Sequence, residues 1–230
     1  MTQSPVTVKV CGLTDVQNAL ACAQAGADWI GLNFHPASPR SITIERGAQI
    51  SALARSTTVQ PVGLFVNRPV AEVVEVVHQV KLALVQLHGA ETPEYLSELA
   101  EAWLDPVPFR VVRAFRLSDL ASVDRMAADL DRAERLGCPP YAILVDAHVP
   151  GQPGGTGQTI ALDLLEQLPP HPRLILAGGL TPENVAGYVE RVRPWMVDVA
   201  SGVESSPGLK DLRKVKAFVE AVKGIPGSTP

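Results

Sequence analysis

The hydrophobic positions of this 230-residue chain fall into eight short runs, and each run is nearly continuous rather than alternating. Runs of this length without alternation are typical of parallel strands that are buried on both faces. The pattern therefore predicts eight strands, over residues 6–11, 29–34, 61–66, 82–87, 109–115, 141–146, 173–178 and 195–200.

Longer segments with helical spacing separate these runs. TDVQNALACAQAGA predicts a helix that Thr14 caps and that stops at Gly26, and TPENVAGYVERV predicts one with Thr181 as its cap and Pro182 at its first position. SSPGLKDLRKVKAFVEAV predicts the last helix. Region 102–140 is punctuated by prolines, and we expect extended connections around the fifth unit there.

Eight strands that alternate with helical segments predict an α/β protein with the (β/α)8 TIM-barrel fold. We expect a single domain over residues 1–230, with residues 1–5 and 224–230 as frayed termini. A doubly wound open sheet is the alternative, since periodicity alone does not show that the sheet closes.

Composition and charge narrow the class of function. The net charge is −4 and Lys and Arg are not clustered, which argues against a nucleic-acid partner. No apolar run approaches the roughly 18 residues of a membrane span, and the first residues lack the pattern of an export signal. The three cysteines have no metal-type spacing and an odd count, so we expect a cytoplasmic protein with free thiols.

Polar residues at the carboxyl ends of the strands are the candidates for chemistry, because catalytic groups of a barrel lie there. Asp146 ends an apolar strand, where partial desolvation is expected to raise its pKa and suit it to a general acid. Cys11 ends the first strand, where the following helix start would favour a thiolate; alternatively, it is a small buried hydrophobe. The other candidates are Asn33, Asn67, Gln86, His88 and Arg113.

Two glycine turns follow the seventh and eighth strands. Gly178 and Gly179 lie in LAGGLTPENV, and Ser201 and Gly202 lie in VASGVE. Loops after these two strands commonly bind phosphate in barrels, and glycine lets the backbone approach an anion closely. We predict a phosphate site there; the alternative is that both are merely tight turns.

A third glycine cluster, GQPGGTGQT at 151–159, lacks the lysine of a nucleotide-binding loop. It is interpreted as a lid over the site or, alternatively, as a connector. His88 either lines the pocket or fills the barrel rim, and Asn33 and Asn67 either touch ligand or satisfy loop backbone. Asp146, His148 and His35 would be the ligands of a metal, but we expect no metal.

Several motifs together resemble one family. VKVCGLT, GLNFHPASPRSI, VGLFVN, VQLHG, ILVDA, GGTGQT, LAGGLTPENV and VDVASGVESSPGLKD resemble phosphoribosylanthranilate isomerase of tryptophan biosynthesis. The resemblance runs from about residue 8 to residue 220, apart from 102–140. It implies a cofactor-independent Amadori rearrangement of N-(5-phosphoribosyl)anthranilate, a small phosphosugar, to the 1-deoxyribulose 5-phosphate.

The resemblance also implies roles for individual residues. Cys11 corresponds to the general base, Asp146 to the general acid, and Arg40 to the contact of the anthranilate carboxylate, with His88 lining the pocket. Ser41 and Ala200 depart from the family pattern, which has an aromatic residue and commonly a serine there. The glycine residues implied in binding substrate or phosphate, together with one serine, are Gly155, Gly157, Gly178, Gly179, Ser201 and Gly202.

Two other functions remain open from the residues alone. One is another phosphosugar barrel enzyme, such as an epimerase; an indole-pathway synthase would place lysine and glutamate at strand ends, which this chain does not. The other is a catalytically silent phosphate-binding barrel. The sequence is compatible with a monomer or a homodimer, and no membrane partner is expected.

Overall fold

The chain is a closed barrel of eight parallel strands in sequential order, in a computed structural model that describes residues 6–105, 109–146 and 162–225. The eighth strand pairs with the first, with Lys9 opposite Asp198. The sheet therefore closes, and the open-sheet alternative is excluded. The strands are β1 Thr7–Cys11, β2 Trp29–Asn33, β3 Gln60–Phe65, β4 Leu84–Leu87, β5 Arg110–Arg116, β6 Ala142–Asp146, β7 Leu174–Ala177 and β8 Met196–Val199.

All eight predicted strands are confirmed, each to within two residues at either end. The helices surround the barrel, and neighbouring helices contact one another from the first to the fifth and from the seventh through the eighth to the first. They are α1 Val16–Gln24, α2 Ile44–Ala54, α3 Val70–Val80, α4 Pro93–Ala102, α5 Leu120–Arg135, α6 Leu162–Leu165, α7 Val185–Val192 and α8 Leu212–Lys223. A one-turn 3₁₀ helix, Ser201–Val203, follows β8.

Two apolar layers hold the molecule together because side chains alternate between the two faces of each strand. One layer lies between the strands and the helices. The other fills the barrel interior and consists of Trp29, Val62, Leu84, Val112, Ala114, Ala142, Leu144, Ile175, Ala177 and Met196. Polar groups at the strand ends lie on the same inward face. The barrel interior is therefore filled by apolar side chains, and its mouth at the carboxyl ends of the strands is polar.

The fifth unit differs from the prediction of extended connections. Residues 120–135 form the 16-residue helix α5, the longest helix in the described part of the chain. Its first turn is held by a capping box, in which Asp119 accepts from the Ser122 N–H and the Ser122 hydroxyl accepts from the Asp119 N–H. The prolines flank this unit and do not interrupt its helix.

Three predicted helix starts are wrong. Asp15, not Thr14, caps α1, because the Thr14 hydroxyl donates instead to the carbonyl of Gly208. The segment after Thr181 forms a turn, and α7 begins only at Val185. Residues 204–210 form two short antiparallel strands, β9 Glu204–Ser206 and β10 Leu209–Lys210, before α8 begins.

The carboxyl-terminal end is fixed further than expected. Gly224 caps α8, and the Ile225 N–H donates to the Val222 carbonyl while its side chain packs against the core. Of the expected frayed segments, residues 1–5 and 226–230 lie outside the described residues. None of the helices in the described part of the chain has the length and apolar character that crossing a bilayer requires.

Candidate active site

A cavity of about 540 Å³ opens at the carboxyl-end mouth of the barrel, and residues at or just beyond the end of every strand line it. This is the face on which barrel enzymes carry their active sites. The predicted acid–base pair, Cys11 and Asp146, lines this cavity. Six other predicted site residues line it as well: Arg40, His88, Gly178, Gly179, Ser201 and Gly202. Predicted Gly155 and Gly157, His148 and the 151–159 lid lie outside the described residues.

Cys11 ends β1 with its thiol against the backbone of β2. The residue is 7% exposed, and Gly31 lies opposite it in the strand register. A Cβ atom on Gly31 would stand 2.5 Å from Cys11 Sγ, so glycine leaves the space that the sulfur occupies. Burial raises the pKa of the Cys11 thiol, which is opposite to the expectation of a thiolate favoured by the following helix.

Lys9 and Asp198 form an ion pair inside the barrel, beside Cys11. Lys9 Nζ lies 2.8 Å from Asp198 Oδ2, and both residues are buried. Burial opposes the charge on Lys9, but Asp198 and Cys11 together outweigh it and hold the pKa of Lys9 above its usual value. Lys9 lies two positions before Cys11 in β1, on the same side of the strand, and its positive charge favours the Cys11 thiolate.

Asp146 ends β6, and the imidazole of His88 lies beside it. His88 Nε2 is 3.5 Å from Asp146 Oδ2, and Gln86 Nε2 is 2.7 Å from His88 Nδ1. With the Gln86 amide nitrogen directed at Nδ1, Nδ1 is the acceptor in the tautomer that has its proton on Nε2, towards Asp146. His88 therefore lines the pocket and contacts the candidate acid.

Arg40 reaches the mouth from the loop after β2. Its Nε and Nη2 donate to the two carboxylate oxygens of Glu204 at 2.7 and 2.6 Å, and Lys210 Nζ lies 2.8 Å from the same carboxylate. Within the described residues Nη1 of Arg40 has no partner, which leaves it available to an anion. Gly12, at φ +78°, lets the Arg40 stem cross over the end of β1, where a Cβ would collide with it.

The two glycine turns lie together at the mouth. Gly178 and Gly179 have φ values of +90° and +64°, a backbone that favours glycine, and neither N–H donates a hydrogen bond within the described ranges. A Cβ on Gly202 would collide with the Leu180 carbonyl, so the turns after β7 and β8 are in close contact. Ser201 and Gly202 begin the 3₁₀ helix.

The remaining strand-end candidates have structural partners. The Asn33 side chain binds the Ser38 hydroxyl and the His35 N–H, and Asn67 accepts from the Ala90 N–H, so both satisfy loop backbone. Arg113 points away from the mouth and binds three backbone carbonyls, and Arg116 lines the cavity instead. No cluster of metal-ligating side chains is present among the residues that the structure describes.

Sequence reasoning missed Lys9, Asp198, Glu204 and Lys210. The signal was available for Lys9 and Asp198, since each is the one charged residue within a short, largely apolar strand. For Glu204 and Lys210 no pattern in the sequence indicated that the segment after β8 folds over Arg40. Gln86 Oε1 and Asp198 Oδ1 are the buried side-chain atoms without a partner among the described residues, and both residues line the cavity.

A closed (β/α)8 barrel with a thiol, a carboxylate and paired glycine turns at its mouth defines the class of barrel enzymes that act on small phosphorylated substrates. A model of the family described as N-(5'phosphoribosyl)anthranilate (PRA) isomerase matches residues 8–221. The chain belongs to this family of tryptophan-biosynthesis isomerases, as its motifs predicted.

Individual relatives agree with the family assignment. N-(5'-phosphoribosyl)anthranilate isomerase of Geobacter sulfurreducens is 44% identical over 219 residues, covering 95% of this chain and 99% of the relative. The crystal structure of phosphoribosyl anthranilate isomerase from Thermotoga maritima superposes with a TM-score of 0.81 at 35% identity, covering 96% of this chain and all of that one. A further structure of such an isomerase, in complex with reduced 1-(o-carboxyphenylamino)-1-deoxyribulose 5-phosphate, has a TM-score of 0.77 at 33% identity, covering 96% of this chain and all of that one.

Proposed function

We propose that this chain converts N-(5'-phosphoribosyl)anthranilate to 1-(2-carboxyphenylamino)-1-deoxyribulose 5-phosphate, with Asp146 as general acid and Cys11 as general base. The observation that carries the residue assignment is the position of the two groups. They end β1 and β6, on different sides of one cavity whose rim also holds the glycine turns. Other phosphosugar chemistry and a silent barrel are not favoured, given the family.

The reaction begins with the proton of Asp146. The carboxyl group donates it to the furanose ring oxygen, the bond from that oxygen to C1 breaks, and the nitrogen lone pair forms a C1=N Schiff base. His88 Nε2–H faces the carboxylate that remains and stabilises its charge. Gln86 holds the ring in that tautomer through Nδ1.

Cys11 completes the isomerisation. The Schiff base acidifies the hydrogen on C2, and the thiolate of Cys11 removes it, leaving an enolamine with a C1=C2 bond. Loss of the proton from the C2 hydroxyl and gain of one at C1 give the ketone. Protons only move between positions, so acid and base suffice for the chemistry.

The ends of the substrate have matching groups at the mouth. The free N–H groups of Gly178 and Gly179, with the 3₁₀ turn at Ser201, suit a phosphate. Arg40 Nη1 suits the anthranilate carboxylate, and Glu204 holds the guanidinium plane in place through the other two nitrogens. The predicted contribution of Gly155 and Gly157 remains part of this proposal.

We further propose that the chain works as a single barrel domain, either as a monomer or as a homodimer, in the reducing cytoplasm. The three described cysteines are free, and Cys11 has to stay so to act as a base. One related structure is described as monomers generated from a dimeric isomerase of Thermotoga maritima. Size-exclusion chromatography coupled to light scattering gives the mass of the protein in solution and distinguishes a monomer from a homodimer.

The assignment of acid and base is tested with Cys11→Ser and Asp146→Asn. We expect each to lower kcat by at least about 10²-fold, since each removes a proton carrier, while binding of the reduced product analogue persists. Consumption of the fluorescent substrate gives the rate, and calorimetry gives the affinity. Cys138→Ala, which removes a cysteine remote from the cavity, is the control and should be unchanged. Turnover near that of the parent in either site variant would refute the role assigned to that residue.

A further inference from the structure

Lys9 and Asp198 meet where the barrel closes. They are direct register partners between β1 and β8, and their charged groups are 2.8 Å apart. The side chain of Lys9 is 1% exposed and that of Asp198 is 7% exposed. The pair is therefore held in place by the backbone of two neighbouring strands.

Stability does not account for this pair. Interiors of such barrels are filled by apolar side chains, and the inward neighbours Met196, Ile175 and Trp29 follow that rule. Replacing a buried ion pair by apolar residues is often neutral or stabilising, because burial costs each charge its hydration. Asp198 Oδ1 even lacks a hydrogen-bond partner among the described residues, which adds to that cost.

The group next to the pair is the Cys11 thiol. Cys11 follows Lys9 by two positions in β1, so both side chains point into the barrel, where Cys11 and Asp198 also line the same cavity. Burial and the Asp198 carboxylate disfavour a thiolate and raise the pKa of Cys11, and Lys9 and Lys210 act in the opposite direction. Arg40, which is paired with Glu204, also interacts with the thiol.

We propose that the Lys9–Asp198 pair is a positioning device for the Cys11 base: the Lys9 ammonium stabilises the thiolate, and Asp198 fixes the ammonium at the sulfur and limits that stabilisation. The proposal rests on the function assigned to Cys11. The thiolate is a buried anion that has to exist before it can take the C2 proton, and Lys9 is a buried cation on the same side of β1 that favours it. Asp198 shares the same cation, so the thiol stays basic enough to accept the proton.

The two partners therefore have opposite effects on Cys11, and this is the basis of the test. Lys9→Met removes the cation and should shift the thiol titration to higher pH. Asp198→Asn removes the competing anion and should shift it to lower pH. A purely structural pair would shift both variants in the same direction or neither.

The titration is measured without substrate. The rate of iodoacetamide alkylation at Cys11 is followed against pH, with mass spectrometry separating its peptide from those of Cys22 and Cys138. At neutral pH we expect Lys9→Met to react about tenfold or more slowly than the parent, as a shift of one pKa unit requires. Lys223→Met, which removes the cation of the partly exposed pair with Asp28, is the matched control and should react like the parent.

A second variant covers the case in which Lys9→Met does not fold because Asp198 is left unpaired. Lys9→Met/Asp198→Asn leaves no charge unpaired and should fold, and its Cys11 titration should lie above that of Asp198→Asn, from which it differs only by the loss of the Lys9 ammonium. In the double variant, the rise of kcat/KM with increasing pH should be displaced by the same number of pH units as the Cys11 titration. KM should change little. A Cys11 titration in the double variant that lies no higher than that of Asp198→Asn overturns the proposal. If instead the titration shifts but Cys11→Ser keeps full turnover, the electrostatic coupling stands and the assignment of Cys11 as base is what fails.

Discussion

At the scale of single residues, the position of the Cys11 sulfur depends on an atom that Gly31 lacks. A Cβ at this position would lie 2.5 Å from Sγ and 3.0 Å from the Cys11 Cα. Both distances are shorter than a van der Waals contact, and β1 is hydrogen-bonded to a strand on each side. Glycine within a strand often marks such a close approach. The geometry of the base is thus set by the neighbouring strand as well as by its own.

This predicts the effect of Gly31→Ala. The added methyl group should displace the thiol, and a displacement of about 1 Å costs on the order of 10²-fold in turnover. We expect kcat to fall with KM less affected, since Arg40 and the glycine turns are untouched. Steady-state kinetics with the fluorescent substrate measure both.

Gly187→Ala is the control for that substitution. Gly187 lies in α7, and a Cβ there would meet nothing within 4 Å, so alanine should leave activity unchanged and raise helix stability. Equal turnover of Gly31→Ala and Gly187→Ala would contradict the account of the thiol position.

Residues of the site that lie at strand ends could be predicted from the sequence, and those that lie elsewhere could be predicted less well. Cys11 and Asp146 followed from their positions at the ends of apolar runs. Gly12 leaves room at the end of β1, and the Arg40 stem occupies it, a contact that no local pattern in the sequence indicates. The partnership of Lys9 with Asp198 spans 189 positions in the chain, and no local pattern connects such distant residues.

At the scale of elements, strands were predicted more accurately than helix starts. A buried parallel strand is a continuous apolar run, and its ends are marked by the first polar residues. A helix start depends on which side chain satisfies the free N–H groups, and tertiary contacts decide that. Thr14 is an example, because its hydroxyl donates to the carbonyl of Gly208. The Asp15 carboxylate accepts from the Asn18 N–H instead and caps the helix.

Asp211 is the N-cap of α8. This helix packs against β1 and against the 3₁₀ helix after β8, so it connects the last unit of the barrel to the first. Its carboxylate accepts from the N–H groups of Arg213 and Lys214. We expect Asp211→Ala to lower the free energy of unfolding by about 1 kcal/mol, as the loss of an N-cap does. Urea denaturation followed by circular dichroism measures it.

Asp211→Asn separates capping from charge. The amide oxygen of asparagine caps as well as a carboxylate does, so this variant should keep most of the stability. If both variants lose the same amount, the stabilisation comes from the charge and the capping account is wrong.

At the scale of the whole molecule, closure of the barrel is what assembles the site. Eight strands were predictable from the apolar runs, but their closure follows only from the pairing of β8 with β1. Closure brings the turn after β8 to the end of β1, and it places Glu204 and Lys210 over Arg40. The two glycine turns follow β7 and β8, so an anion bound at both would link the last two units of the chain.

An anion that bridges these units should stabilise the entire barrel. Ligand that binds only the folded state at about 100 times its dissociation constant adds about 2.7 kcal/mol, which corresponds to a rise in Tm of several degrees in a chain of this size. We expect inorganic phosphate to raise the Tm and to compete with substrate, whereas chloride at matched ionic strength does neither. Gly202→Ala, whose Cβ would push the β8 turn away from the Leu180 carbonyl, should lose most of the phosphate-dependent rise, and Gly187→Ala should retain it. A phosphate response of Gly202→Ala equal to that of the parent would place the anion elsewhere than at the two glycine turns.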